Sequence, residues 1–336
     1  MCLKCHGFSR GYLLIAGAIY YLDSQNPQKA RTSGTDITRS NFPKYREIVN
    51  PSGYVNVDPS TGLGTGKITI GELVGKKVVM VDFWTYSCIN CQRTSPILNA
   101  WYEKYRDKGL EIICIHTPEF EFEKNIDNVR DAVKKENIKY PVVLDNDYST
   151  WNAYGNRYWP RQYLIDLEGK IVFDHIGEFS KAAHVETEKK IQELLKLKEE
   201  MSVAKISSPD PNKPLSPETY LGSDRAVPSQ DWKFEGDWDI QPEFATNRDA
   251  GAKIIYKYKA KDVFLVASAK NDVKVRVKLD GQLVGGEKGE DVGEDGIVTV
   301  NRDGLYKIIQ DSTYGIHTLE LEILSPGLMA FAFTFG

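Results

Sequence analysis

The stretch Val81-Asp82-Phe83-Trp84-Thr85-Tyr86-Ser87-Cys88-Ile89-Asn90-Cys91 decides how this chain is read. Its first half completes the run 77–84 (KVVMVDFW), a nearly continuous apolar segment of the kind found in strands covered on both faces. Its second half places two thiols three residues apart, where that strand turns into a helix. Two cysteines at that spacing can close a small disulfide within one helical turn. The free N–H groups and dipole of a helix N-terminus stabilise a thiolate on the first of them. Cys88 is therefore the expected nucleophile, and Cys91 the residue that resolves a mixed disulfide by attacking Cys88. Two other readings compete: a zinc half-site, or a pair of inert core thiols. Zinc needs two further ligands, and no second C-x-x-C or H-x-x-x-H stands outside the N-terminal tail, so neither metal nor cofactor is expected.

Around this turn the elements alternate. Residues 96–107 read as a helix with Ile97, Leu98, Trp101 and Tyr105 on one face, ending at Gly109. Segment 111–116 (EIICIH) is a second strand and 126–137 a charged helix. Segments 140–144, 162–166 and 170–175 are three more short strands, the last two joined by Leu167-Glu168-Gly169. Strand–helix alternation that closes on a hairpin predicts an α/β sandwich with a mixed sheet. Cys114, in mid-strand among isoleucines, reads as an inert core thiol.

Further out, composition sets limits. With 336 residues two domains are expected, and Lys+Arg 43 against Asp+Glu 47 gives no reason to expect nucleic-acid binding. Five cysteines are too few for a disulfide scaffold. Lys4 and Arg10 precede the apolar run 11–22 (GYLLIAGAIYYL), which reads as an export signal or short anchor, or else as a buried helix. Cys2-Leu3-Lys4-Cys5-His6 fits a c-type haem pattern, but it lies in the would-be n-region and is not read as a haem site. Residues 23–44 form a polar spacer, and polar, loosely structured sequence continues to 66. Residues 45–200 form the α/β domain, closed by a helix over 186–201. Pro209, Pro211, Pro214 and Pro217 make 201–218 a stiff linker, which should leave the two halves separable. Beyond it, 219–336 alternates apolar and polar residues in at least seven short strands: 253–259, 262–269, 273–279, 297–301, 306–310, 316–324 and 328–335. That pattern predicts an all-β jelly-roll sandwich. Trp232, Trp238, Tyr256 and Tyr258 are its candidates for stacking on a ligand, although aromatics at strand spacing are also core.

Residues 67–195 resemble the thioredoxin superfamily, in particular its extracytoplasmic TlpA-like and DipZ-like thiol–disulfide oxidoreductases. The resemblance lies in Val81-Asp82-Phe83-Trp84 followed by Cys88 and Cys91, in Pro96, and in Trp159-Pro160 just before a strand. Segment 111–147 is similar to the βα insertion of the TlpA-like branch. Tyr86–Cys91 and His116-Thr117-Pro118-Glu119-Phe120 are similar to DipZ-like proteins. The resemblance implies catalysis by Cys88 and Cys91, with Asp82 accepting the Cys91 proton. A carboxylate in an apolar strand is costly unless functional or hydrogen-bonded, and a raised pKa would suit it to that work. It also implies a substrate groove at Trp84, Trp159 and a cis Pro160. His116 and Glu119, on the same sheet edge as Cys88, are expected to tune the thiolate or to be plain loop residues. Partners implied are protein disulfides and a membrane reductant of the DsbD/CcdA kind, with an extracytoplasmic location and a reductase direction. The second half resembles a galactose-binding or carbohydrate-binding-like domain, which implies a carbohydrate ligand, a protein ligand, or a structural role. Two rival functions stand. Thr85, three residues before Cys88, supplies half of a peroxiredoxin motif, but Val81 occupies its proline position. A thioredoxin scaffold used only for binding is the other.

Overall fold

The computed structural model describes residues 42–57, 66–197 and 215–336. The apolar run 11–22, the Cys2–Cys5–His6 pattern, most of the spacer and most of the proline-rich linker lie outside the described residues.

The first sheet is built by β1 (Gly53–Val55), β2 (Val78–Trp84), β3 (Leu110–His116), β4 (Val142–Leu144), β5 (Arg161–Ile165) and β6 (Ile171–Ile176), in the order β1-β4-β3-β2-β5-β6. β2, β3 and β4 run parallel, while β5, β6 and β1 are antiparallel to their neighbours. Every residue of β2 and β3 is buried, as their β-branched, apolar sequences require. Helices α1 (Ile89–Tyr105), α2 (Ile126–Lys135), α3 (Ser149–Ala153) and α4 (Lys181–Leu194) connect and cover these strands.

Three boundaries differ from expectation. α1 starts directly after Cys88, not at Pro96, because Cys88 itself caps it and Pro96 is carried inside the helix. α4 starts at Lys181, where the Ser180 hydroxyl accepts from the Ala183 N–H at 3.2 Å. β1, in a region read as loosely structured, pairs with β4 from Gly53 to Val55. A Cβ on Gly53 would lie 3.0 Å from Ile126 Cδ1, so a larger residue there would require the Ile126 side chain to shift.

The second sheet is antiparallel throughout. It contains β7 (Thr219–Tyr220), β8 (Trp232–Glu235), β9 (Trp238–Ile240), β10 (Ala245–Asn247), β11 (Ala252–Ser268), β12 (Val273–Leu279), β13 (Gln282–Leu283), β14 (Ile297–Val300), β15 (Gly304–Ile323) and β16 (Met329–Phe335). Its backbone order is β13-β12-β15-β11-β16-β10-β9, with β14 on β12, β7 on β16 and β8 on β11. The segments read as four strands, 253–259 with 262–269 and 306–310 with 316–324, are two long ones. β11 and β15 run through a register shift between Ala260 and Asp262. A bulge bends a strand without ending it, so the charged residues there mimic a turn in sequence. One half of β11 pairs with β8, the other with β16. Tyr256 and Tyr258 are 3% and 1% exposed and pack on Phe333 and Phe335, so they are core residues and not stacking platforms.

The two sheets share a cluster. Ile89 and Phe120 of the first half are buried together with Phe264, Val266, Leu305, Phe331 and Ala332 of the second. The Phe120 and Phe122 rings meet Phe331 at 5.1 and 4.9 Å. The expectation of separable halves joined by a stiff linker carries no signal of this contact.

Candidate active site

The β2–α1 turn carries the two thiols at the carboxyl edge of the parallel strands. Cys88 is half-buried and Cys91 buried, and both are free. Cys88 is extended and caps α1; its Sγ accepts from the Cys91 backbone N–H at 3.4 Å. That places the sulfur where unpaired helical N–H groups converge. Burial pushes the Cys91 thiol well above its ordinary range, and the neighbouring Cys88 adds to the rise. The two thiols therefore have different environments: one at the surface on a helix terminus, one inside.

Opposite them, the Trp159–Pro160 peptide is cis, and the Trp159 carbonyl lies 3.9 Å from Cys88 Sγ. The Trp159 indole is fixed by donating to the Thr117 carbonyl at 3.0 Å. Beneath the turn, Asp82 is 1% exposed and accepts from Gln162 Nε2 at 2.7 Å. Burial raises its carboxyl to about 7, against the lowering effect of hydrogen bonds from Gln162 and Cys114. Cys114 stands beside Asp82 in the β2–β3 register and is fully buried. Asp82 is thus a neutral-range acid–base group inside an apolar sheet.

Three sequence-predicted residues have surroundings other than their expected roles require. Trp84 is 1% exposed and packs against Tyr86 and His116, so it supports the turn from below and lines no groove. The reason is that β2 stays covered on both faces to its last residue. His116 is fully buried, stacked on Tyr86 at 5.7 Å, and burial lowers its pKa to about 3. A neutral imidazole supplies no cationic field to a thiolate. The Glu119 carboxylate turns to the second sheet, accepting from Arg225 at 2.5 Å and from Tyr220 at 2.8 Å.

Among the carboxylates that sequence reading does not single out, two lie near the turn: Glu123, buried, and Glu136, half-buried. Glu123 bonds to Ser87, the residue before Cys88. Glu136 accepts from Ser95 Oγ at 2.6 Å and lines a cavity of about 140 Å³ together with Tyr86, Gln92 and Arg302. Burial raises each to about 7. Both lie in charged sequence that reads as solvated surface, and their one signal in the sequence is their place within the inserted βα unit 111–147.

Residues 44–195 match the Redoxin family, and residues 206–336 match the family described as thioredoxin-like C-terminal domain. The first half of the chain thus carries a thioredoxin fold of the Redoxin kind, followed by an all-β region that matches the second family. It is similar to Protein DipZ of Mycobacterium tuberculosis, 32% identical over 354 residues that cover 94% of this chain and 46% of DipZ. The chain therefore spans about half the length of that relative. It is also similar to thiol-disulfide oxidoreductase ResA of Bacillus cereus, 36% identical over 36% of this chain and 66% of ResA. Similarity to thiol-disulfide oxidoreductase YkuV of Bacillus subtilis is 28% over 32% of this chain and 71% of YkuV. Among the described residues, no helix is long and apolar enough to cross a membrane.

Proposed function

We propose that this chain is an extracytoplasmic protein-disulfide reductase that works through the Cys88–Cys91 dithiol. The observation that carries the reading is the unequal pair: Cys88 half-buried on the helix terminus, with Cys91 N–H donating to its sulfur at 3.4 Å. The Cys88 thiolate attacks a substrate disulfide, forming a mixed disulfide and releasing one substrate thiol. Cys91 then loses its proton to Asp82 and attacks Cys88 Sγ. The substrate leaves as its second thiol, having gained two electrons, and Cys88–Cys91 is left as a disulfide. Asp82 suits this role because burial poises it at about 7, near the pH at which it must change state. The backbone at Trp159-Pro160, 3.9 Å from Cys88 Sγ at its carbonyl, suits an extended substrate segment laid across the thiol. Electrons return from an external dithiol, for which a membrane protein of the DsbD/CcdA kind is the proposed source. The location rests on the basic-then-apolar sequence before residue 23. A carbohydrate or protein ligand for the second sheet belongs to the same proposal.

The test is trapping. Cys91→Ser is expected to accumulate mixed disulfides through Cys88, while Cys88→Ser traps nothing and reduces no insulin. The reverse pattern overturns the assignment. A glutathione titration then fixes the direction: a potential near roughly −270 mV marks a reductase, one near roughly −120 mV an oxidant.

A further inference from the structure

Glu123 is not used in the mechanism above, yet it is fully buried beside the nucleophile's turn. It lies in the 3-10 turn Glu121–Lys124. One carboxylate oxygen accepts from Ser87 Oγ at 2.6 Å and from the Ser87 N–H at 3.2 Å. The other accepts from the N–H groups of Glu119 at 2.5 Å and Phe120 at 3.1 Å. Four donors occupy two oxygens. These bonds favour the carboxylate and oppose the burial that raises its pKa to about 7.

The same segment is fastened on its other side to the second sheet. Phe120 and Phe122 close on Phe331, Glu119 accepts from Arg225 and Tyr220, and the Glu121 N–H donates to Glu243 at 3.1 Å. Asn128 adds a bond to Asp303 at 3.0 Å. Ile89, the residue after Cys88, is buried in the shared apolar cluster. Both flanks of Cys88 therefore lead to the second sheet: Ile89 directly, Ser87 through Glu123.

We propose that Glu123 is a positioning residue: its carboxylate ties Ser87, and with it the Cys88 turn, to the second sheet, which thereby helps hold the nucleophile in reactive geometry. The inference rests on Cys88 being the nucleophile. The Ser87 backbone sets where Cys88 points, and the sulfur gains from the helix terminus only while it stays within reach of the Cys91 N–H. Releasing Ser87 lets the turn drift from that position.

The test is the rate at which iodoacetamide alkylates Cys88 in the reduced full-length chain near neutral pH, with the site read by mass spectrometry. This readout needs no disulfide substrate. Ser87→Ala removes one hydroxyl and keeps the charge, and is expected to slow alkylation about threefold or more. Phe331→Leu loosens the segment from the far side and is expected to slow it in the same direction. Glu123→Gln is expected to slow it too, although removing a negative charge near a thiolate would by itself speed the reaction. The double variant Ser87→Ala/Glu123→Gln should be no slower than the slower single, because both break one contact. Circular dichroism and a melting curve establish that each variant is folded, and if Glu123→Gln is not, Ser87→Ala and Phe331→Leu decide. Wild-type rates in folded Ser87→Ala and Phe331→Leu overturn the inference. So does faster alkylation in Glu123→Gln with Ser87→Ala unchanged, which would make Glu123 only a local charge. If Cys91 is alkylated before Cys88 in the wild type, it is the nucleophile assignment that fails.

Discussion

The two sheets bury similar apolar side chains but treat ionisable ones in opposite ways. In the mixed sheet and its insertion, Asp82, His116 and Glu123 are almost wholly buried, and desolvation is the largest influence on each. In the antiparallel array, carboxylates stay near the surface in ion pairs. Glu320 meets Lys253 and Lys278, Glu322 meets Arg276, and both acids are lowered. Glu218 also lies at the surface, but desolvation by the neighbouring segment and the charge of Glu119 raise its pKa to about 7. Asp82 and Glu123 of the first region change protonation near neutrality, while Glu320 and Glu322 of the second keep their charge there. The division teaches where the chemistry belongs, and it extends to stability, because the two classes of acid respond to pH with opposite sign.

Asp82→Asn tests the first class and carries the largest expected effect. Turnover near neutral pH should fall on the order of a hundredfold, the usual scale for losing a positioned proton acceptor. Stability should move the other way. The folded carboxyl titrates at about 7 against an ordinary 3.8, so between those values the native state holds a proton that the unfolded chain has released. Wild-type stability therefore falls as pH rises through that window, by up to ~4 kcal/mol from this group. The asparagine variant lacks that slope, so urea unfolding at pH 4, 6 and 8 should show its advantage growing with pH. A stability loss that is equal at all three values would make Asp82 an ordinary structural acid.

Removing the array is expected to have the next largest effect. A chain ending at residue 200 would expose Ile89, Phe120 and Phe122, which are buried or half-buried against Phe331 and its neighbours. It would also leave Glu119 without Arg225. Insulin reduction should drop about tenfold or more, about 1.4 kcal/mol of barrier, even if the segment folds. A shortened chain as fast as the whole would mean that the proline-rich strip joins independent modules.

The core of the first half was legible because its strands are apolar over their full length and its cysteines sit where strand becomes helix. The Cys88 cap and the buried Asp82 follow that local pattern, whereas the cis bond before Pro160 is implied only by the resemblance. Glu123 and Glu136 were not legible, since burial of a charged residue is decided by what packs over it from elsewhere in the chain. Glu119 lies on the expected edge, but its partners Tyr220 and Arg225 lie about a hundred residues away, where no local pattern announces them. The long strands β11 and β15 were cut in two for a related reason. A bulge and a turn draw on the same polar residues, and only the partner strand distinguishes them.

The smallest expected effect tests the second class. Glu320 is held by Lys278 at 2.9 Å and Lys253 at 3.1 Å, and the Lys278 hydrogen bond is the largest single cause lowering its pKa. A depressed carboxyl contributes stability above its unfolded pKa and loses it as pH falls through the folded one. Glu320→Gln should therefore cost no more than ~1 kcal/mol at pH 7, the usual ceiling for a partly exposed pair. It should cost less at pH 3, because the pair's contribution is lost as pH falls through the lowered pKa, and molar salt should shrink the pH 7 difference. Insulin reduction should be unchanged, since Glu320 pairs across β15 with residues of β11 and β12 and meets nothing on the Cys88 turn. The measurement is urea unfolding of both proteins at the two pH values, with and without salt. A variant that instead gains stability as pH rises, as Asp82→Asn should, would mean that burial and not pairing governs this carboxylate. The two sheets would then no longer differ in how they hold charge.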